Sequence, residues 1–177
     1  MRVLVLGASG TIGLATTSAL LRQGHDVVCF LRKAKTTDAT GASSKLSAQL
    51  HGATLRYGDP CRLESLRQDG FCDEQFDAVV SCMASRTGTP RDAWAVDHQA
   101  HVDVLHVAKA SGVRYFVQLS AICVQKPLLA FQQAKLAFEK ELIASGLTYA
   151  IVRPTAFFKS LSGQLARVKK GKPFLIF

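Results

Sequence analysis

Met1-Arg2-Val3-Leu4-Val5-Leu6-Gly7-Ala8-Ser9-Gly10-Thr11-Ile12-Gly13 opens the chain, and the reading of this stretch decides the fold. Val3 to Leu6 is a continuous apolar run, the pattern of a strand buried on both faces. Gly7, Gly10 and Gly13 follow at a spacing of three, and Ile12, Ala15, Ala19 and Leu20 then recur at helical spacing. Strand, glycine turn and helix in direct succession form the context of a dinucleotide-binding fingerprint. Gly7 allows the tight turn, Gly10 lets backbone approach a pyrophosphate, and Gly13 lets helix and strand pack closely. The pyrophosphate would rest on free N–H groups and the positive end of the helix dipole, which makes Ser9, Gly10, Thr11, Ile12 and Gly13 candidate ligands.

The remainder agrees with one globular domain. The 177 residues suffice for a sizeable core, and 48% hydrophobic with 20% charged residues argues against disorder. No window supplies the roughly eighteen uninterrupted apolar residues of a membrane span. Cys29, Cys61, Cys72, Cys82 and Cys123 show neither metal-ligand spacing nor a disulfide framework, so core thiols are expected, with Cys29, Cys82 and Cys123 acting as small hydrophobes. The net charge of +9 is uneven: no acid follows Glu141, whereas Arg153, Lys159, Arg167, Lys169, Lys170 and Lys172 do. Without aromatic interleaving or a nucleic-acid module, these charges fit an anionic cofactor and substrate, or a solvated face, better than nucleic acid.

Further along, strands are expected at Val27–Leu31, Ala53–Tyr57, Phe76–Met83, Val113–Ser120 and Leu147–Val152. Helices are expected at about Gly10–Arg22, Leu63–Asp69, Asp92–Ser111 and Leu128–Ser145, and residues 34–50 read as a loop. Strands alternating with helices behind one fingerprint predict a doubly wound α/β domain with a parallel sheet in the order 3-2-1-4-5-6. The second strand ends in Leu31-Arg32-Lys33, where an NAD enzyme carries an acid for the ribose; Arg32 and Lys33 would instead chelate a 2′-phosphate, favouring NADP. Asp59, ending the third strand, either contacts adenine or caps the next helix. The loop from Ala84 through Arg86 to Pro90 opens on the switch-point crevice, where Ser120 also faces. His98, His101 and His106 lack an i, i+4 pair and read as a solvated face, with no metal.

The fingerprint at Gly7, Gly10 and Gly13, Ser120 after the fifth strand and Lys135 on the next helix resemble the short-chain dehydrogenase/reductase superfamily. There a serine precedes Tyr-x-x-x-Lys, with tyrosine the acid and lysine lowering its pKa and holding the ribose. This chain reads Phe131-Gln132-Gln133-Ala134-Lys135. Phenylalanine cannot donate a proton, which argues against carbonyl chemistry and suits reduction of a conjugated carbon–carbon double bond. The runs Leu119 to Pro127, Ile151 to Gln164, Ser81 to Gly88 and Asp92 to Asp97 are similar to the atypical branch of divinyl chlorophyllide 8-vinyl-reductases. That resemblance implies NADPH-dependent reduction of a vinyl group on a tetrapyrrole, in a chloroplast or a bacterial cytoplasm, and leaves peripheral membrane contact open. It implies Lys135 and Ser120 as the catalytic pair, with Ala84, Lys135 and Pro154 completing the cofactor set. Arg86, Phe131, Phe157, Phe158 and Lys159 would meet the macrocycle, although the two adjacent phenylalanines serve core packing equally well. A non-catalytic NADP-binding sensor or assembly factor, or a reductase of another conjugated alkene, are the competing readings.

Members of that branch continue past the sixth strand into a substrate-covering portion, which residues 1–177 do not contain. The expectation is therefore one NADP-binding domain, a fragment or shortened relative, that binds NADPH and reduces the vinyl group poorly by itself. Arg32→Asp is expected to weaken NADPH far more than NADH in a fluorescence titration; equal loss for both would count against a 2′-phosphate contact.

Overall fold

The computed structural model describes residues 1–33, 41–155 and 157–174, without the side chains of 41–44, 158–161 and 163. The chain runs β1 (Arg2–Leu6), α1 (Thr11–Arg22), β2 (Asp26–Arg32), α2 (Gly41–Gln49), β3 (Thr54–Gly58), α3 (Leu63–Ser65), β4 (Ala78–Ser81) and α4 (Pro90–Ala93). It continues through α5 (Ala100–Ala110), β5 (Tyr115–Leu119), α6 (Ala130–Ala144), β6 (Thr148–Val152) and α7 (Phe158–Val168). The six strands are parallel in the order β3-β2-β1-β4-β5-β6, as the sequence predicts. The order reverses between β1 and β4, where Leu6 pairs with Ser81, so the crevice opens at the ends of these two strands.

Because side chains alternate across a strand, β1 feeds two cores. Leu4 and Leu6 join Val28, Phe30, Val79 and Phe116 beneath Val104 and Ala108 of α5 and Phe138 and Leu142 of α6. Val3 and Val5 join Cys29, Leu31 and Val80 against Leu14, Leu20 and Leu21 of α1. Each fully buried side chain of this size contributes about 1.5–3 kcal/mol. Among the described residues no helix is long and apolar enough to cross a membrane.

Four local expectations need correction. The segment expected as a loop contains α2, which packs Leu46 against the second core and is followed by the buried Leu50; residues 34–40 lie outside the described residues. β4 stops at Ser81 rather than Met83, because its partner β1 ends at Leu6 and the Gly7 turn departs. Cys61 and Cys123 are exposed, the latter with φ of 65°, so neither is a core thiol. The helices after β3 and β4 are also not uniform. Residues Leu66–Phe71 and Trp94–Gln99 are π-helical, the latter joining α4 to α5.

That second π-helical segment re-aims a stripe of polar residues. His106 is exposed, as predicted, but His101 is completely buried. Its Nδ1 lies 2.8 Å from the Val96 carbonyl and its Nε2 2.8 Å from Ser81 Oγ. The carbonyl can only accept, so Nδ1 carries the proton and Nε2 accepts from the serine. Burial, with the Lys135 charge adding to it, lowers the His101 pKa from its usual 6.5 to about 3. Among the described residues no cluster of His, Cys, Asp and Glu could hold a metal.

A lowered folded-state pKa makes the unfolded chain the better proton binder between the usual 6.5 and about 3. Stability therefore falls as pH falls through that window, by at most about 1.4 kcal/mol per pH unit from this group. Urea unfolding at stepped pH is expected to show a shallower slope for His101→Gln than for the parent chain. Identical slopes would mean that His101 titrates normally.

Candidate functional site

The three glycines of the opening turn are not equivalent. Gly7 has φ of +74°, and a Cβ there would lie 2.6 Å from the Cys82 carbonyl carbon. A Cβ on Gly13 would lie 2.1 Å from the Gly7 carbonyl oxygen. Both positions are closed by the protein itself. At Gly10 the nearest atom to a Cβ is Gly7 O at 3.3 Å, and φ is an ordinary −79°. Gly10 instead borders two adjoining cavities that share Gly10, Met83, Ala84, Ser85 and Arg86. The smaller, about 230 Å³, runs past Ser9 to Arg32 and Cys61. The larger, about 680 Å³, runs past Thr11, Ile12 and Gly13 to Ser120, Phe131, Lys135, Pro154 and Phe157.

Lys135 forms part of the wall of the larger cavity, yet only 4% of the residue is exposed. Its Nζ lies 3.1 Å from Asp97 Oδ1 and donates to the carbonyls of Leu119 at 3.1 Å and Met83 at 3.4 Å. The carbonyls belong to the last residue of β5 and to the chain leaving β4, so the ammonium ties both to α6. Asp97, on the π-helical segment, is fully buried and also accepts from the Ser85 amide at 3.3 Å.

Ser120, the residue after β5, is buried and meets α6 one turn beyond Lys135, at Glu139. Its hydroxyl donates to Glu139 Oε1, and Glu139 is held in turn by Arg153 of the β6 end through Nε at 3.1 Å and through Nη2. Hydrogen bonding to Glu139 pushes the Arg153 pKa up. Phe131, Lys135 and Glu139 thus form an i, i+4, i+8 row on α6, of which Phe131 and Lys135 line the larger cavity. Phe131 is half-buried, and Phe157 is 37% exposed.

The loop after β4 is pinned by a second carboxylate. Asp92 accepts from the amides of Thr87 and Arg86, both at 2.8 Å, and from Thr87 Oγ1 at 2.9 Å. Those amide bonds, Thr87 first, hold the Asp92 carboxyl below its ordinary range. Arg86 is exposed and borders both cavities. Burial raises the pKa of the Cys82 thiol beside them.

At the far end, Arg32, Lys33 and Asp59 surround a polar groove of about 450 Å³ that also includes Arg62. Asp59 does not cap α3. Its carboxylate accepts from Cys61 N at 3.0 Å, and its backbone carbonyl accepts from Arg62 N at 3.0 Å, closing the turn that precedes α3. Phe158 and Lys159 begin α7, and their side chains lie outside the described residues.

The crevice therefore gathers Gly10 to Gly13, Arg32, Ala84, Arg86, Ser120, Phe131, Lys135, Pro154 and Phe157, which the sequence selected, along two joined cavities. Asp97, Glu139 and the partner role of Arg153 were not selected. The signal is the spacing: Glu139 falls one turn after Lys135 and beside Phe138 and Leu142, all buried.

A parallel sheet with a glycine turn against its switch-point crevice defines a dinucleotide-binding α/β protein. The chain belongs to the NAD(P)H-binding family, whose pattern it matches over residues 7–175. It is 45% identical over 181 residues to the chloroplastic divinyl chlorophyllide a 8-vinyl-reductase of Cucumis sativus, covering 99% of this chain and 43% of that protein. The Arabidopsis thaliana protein of the same name is 42% identical, covering 100% of this chain and 44% of that protein. Photosystem II assembly factor Ycf39 of Synechocystis is 30% identical over 94% of this chain and 48% of its own length. The chain thus spans under half the length of these curated relatives. Among solved structures it resembles the Bordetella bronchiseptica enzyme WbmG in complex with NAD, with a TM-score of 0.77 at 18% identity over 97% of this chain and 60% of that one. That likeness establishes the fold.

The glycine geometry separates two kinds of damage. Gly10→Ala is expected to keep its melting temperature within a few degrees and to weaken dinucleotide binding about tenfold or more. Gly13→Ala is expected to unfold or melt far lower, since the added carbon overlaps backbone. Calorimetry with a fluorescence titration reads both; equal melting losses would refute the distinction.

Proposed function

We propose that this chain is the cofactor-binding portion of an NADPH-dependent reductase that converts the 8-vinyl group of divinyl chlorophyllide or protochlorophyllide to ethyl. The observation carrying this reading is Phe131, set in the cavity wall one helical turn from a buried, charged Lys135. The position that would hold a phenol for carbonyl chemistry is apolar, while the lysine and its surroundings are kept. Identity of 42–45% to named vinyl-reductases over nearly the whole chain supports the same substrate class.

The residues fit a dinucleotide. Gly10 lines both cavities beside the first turn of α1, which has no acidic residue, so its backbone is free of a side chain where a pyrophosphate would approach. Gly7, Ser9 and Gly10 to Gly13 would hold the pyrophosphate, and Ala84, Lys135 and Pro154 the nicotinamide half. Arg32 and Lys33 would hold a 2′-phosphate, which favours NADPH, and Asp59 lies where adenine would be met. When bound, the cofactor supplies a hydride. The chain's own part is to keep water from the reacting alkene with Ile122, Phe131 and Phe157, and to hold a fixed positive charge nearby at Lys135. Charge arising on a conjugated macrocycle delocalises, so no phenol is needed at the moment of transfer. Arg86 or Lys159 would face the substrate's carboxylate, and Phe158 its rings.

A second reading has an observation in its favour. Both side chains placed as the catalytic pair have their protons committed inside the protein: Ser120 to Glu139, Lys135 to Asp97 and two carbonyls. A non-catalytic NADP-binding assembly factor would tolerate that, and the Ycf39 similarity agrees with it.

Turnover separates the readings. With NADPH and divinyl substrate, pigment chromatography is expected to show slow vinyl-to-ethyl conversion by residues 1–177. Conversion should be faster when the chain is joined to the C-terminal half of a curated relative, and absent in Lys135→Ala. NADPH binding without turnover in the joined protein would favour the assembly factor, and robust turnover by residues 1–177 alone would contradict the partial-site reading.

A further inference from the structure

Asp97 is the acidic side chain in the wall of the larger cavity, and it touches two things that the β4 loop and α6 bring there separately. Through Oδ1 it pairs with Lys135 at 3.1 Å, and both of its oxygens lie within 3.4 Å of the Ser85 amide. Side-chain exposure is 1% for Asp97 and 5% for Lys135, so neither charge has water as a substitute partner. An ammonium has three donors and no acceptor. Those of Lys135 reach Asp97, Leu119 O and Met83 O, which uses the full set. Ser85, by contrast, never meets Lys135 directly: Asp97 stands between them.

The placement of Asp97 is itself unusual. It lies within the π-helical turns Trp94–Gln99, where the wider helix shifts the inward stripe to Ala93, Asp97, Ala100 and His101. Such irregular turns cost helix regularity and often mark functional sites. The Glu139–Arg153 pair, on the same face of α6, leaves Asp97 untouched. The next two loop amides, Arg86 and Thr87, are held by Asp92 instead, which provides an internal control for any effect on the loop.

We propose that Asp97 is a positioning residue that couples Lys135 to the Ser85 end of the β4 loop, so that the lysine and that wall of the cavity are set as one unit when a dinucleotide enters. This deepens the dinucleotide reading of the crevice and rests on it for the ligand, but the coupling itself belongs to the free chain. Removing either charge strands the other in a buried site and lets Ser85 go.

Amide hydrogen exchange on the 177-residue chain tests the coupling without any ligand. Lys135→Met is expected to speed exchange at Ser85 about tenfold, although the two residues do not touch. Asp97→Asn should do the same, and Asp97→Glu should restore part of the protection. Asp92→Asn should speed Arg86 and Thr87 while leaving Ser85 unchanged, and the β1 amides should stay protected throughout. If a single variant unfolds, the double variant Asp97→Asn/Lys135→Met, which removes both charges, keeps the test open and is expected to fold with fast Ser85 exchange. Unchanged Ser85 exchange in Lys135→Met or in the double variant would overturn the coupling. Titration with NADPH adds the ligand arm, with about tenfold weaker binding expected for Asp97→Asn. Parent-like affinity in that variant would overturn the role toward the cofactor. Failure of the parent chain to bind NADPH, with Ser85 responding as described, would instead overturn the dinucleotide reading and leave the coupling intact.

Discussion

The contact on which the rest of this structure depends is the meeting of Gly13 with the Gly7 carbonyl. A Cβ at Gly13 would come within 2.1 Å of that oxygen, so α1 can lie against the end of β1 only because the side chain is a hydrogen. Gly7, at positive φ, in turn lies so close to Cys82 that its own Cβ would meet the Cys82 carbonyl. One turn thereby fixes three elements, β1, α1 and the exit from β4. The crevice between β1 and β4 follows from this, since the chain leaving β4 is pushed outward as the loop Ala84–Thr89 that forms one cavity wall.

Charge organises the opposite wall. α6 presents Phe131, Lys135 and Glu139 on one row, and each charged member is matched by a partner from a different element: Asp97 from the helix after β4, Arg153 from the end of β6. Buried pairs of this kind add little net stability, because desolvation offsets most of the attraction. Their effect is on register. A slip of α6 by one residue would strand two charges in the core, so the pairs hold the helix to a single position against the ends of β4, β5 and β6. The apolar contacts of Phe138 with Phe116 and His101, at ring separations of 5.7 and 4.9 Å, tolerate small shifts that the ion pairs do not.

Much of this was legible in the sequence, and the reason is local. Apolar strands, glycine turns and amphipathic helices are written in neighbouring residues, so the strand order and the crevice follow from the opening turn and the alternation behind it. The fixed geometry of Gly7 and Gly13 was legible too. The partners of Lys135 and Ser120 were not, because Asp97 and Glu139 are read as surface residues by any rule that assigns acids to water. His101 was misplaced for the same reason. The apolar stripe through Ala100, Val104 and Ala108 is buried as its spacing suggests, but Asp97, His101 and Leu105 are buried beside it, while Val96 is only half-buried. Only the π-helical turn and the tertiary partners bring the two polar side chains inward. α2 is not legible because Gly41–Gln49 has almost no apolar contrast, and the packing of Leu46 and of Leu50 just after it is a tertiary matter.

The row on α6 also measures how far this crevice stands from its carbonyl-reducing cousins. Restoring a phenol at Phe131 would take one oxygen atom on a helix already in register with the lysine. That oxygen would still find the ammonium engaged by Asp97, with no donor to spare for it. The helix is thus separated from such a site twice, once by an atom and once by a carboxylate, and the second separation is the harder to remove because Asp97 also holds the Ser85 amide of the loop that lines the cavity.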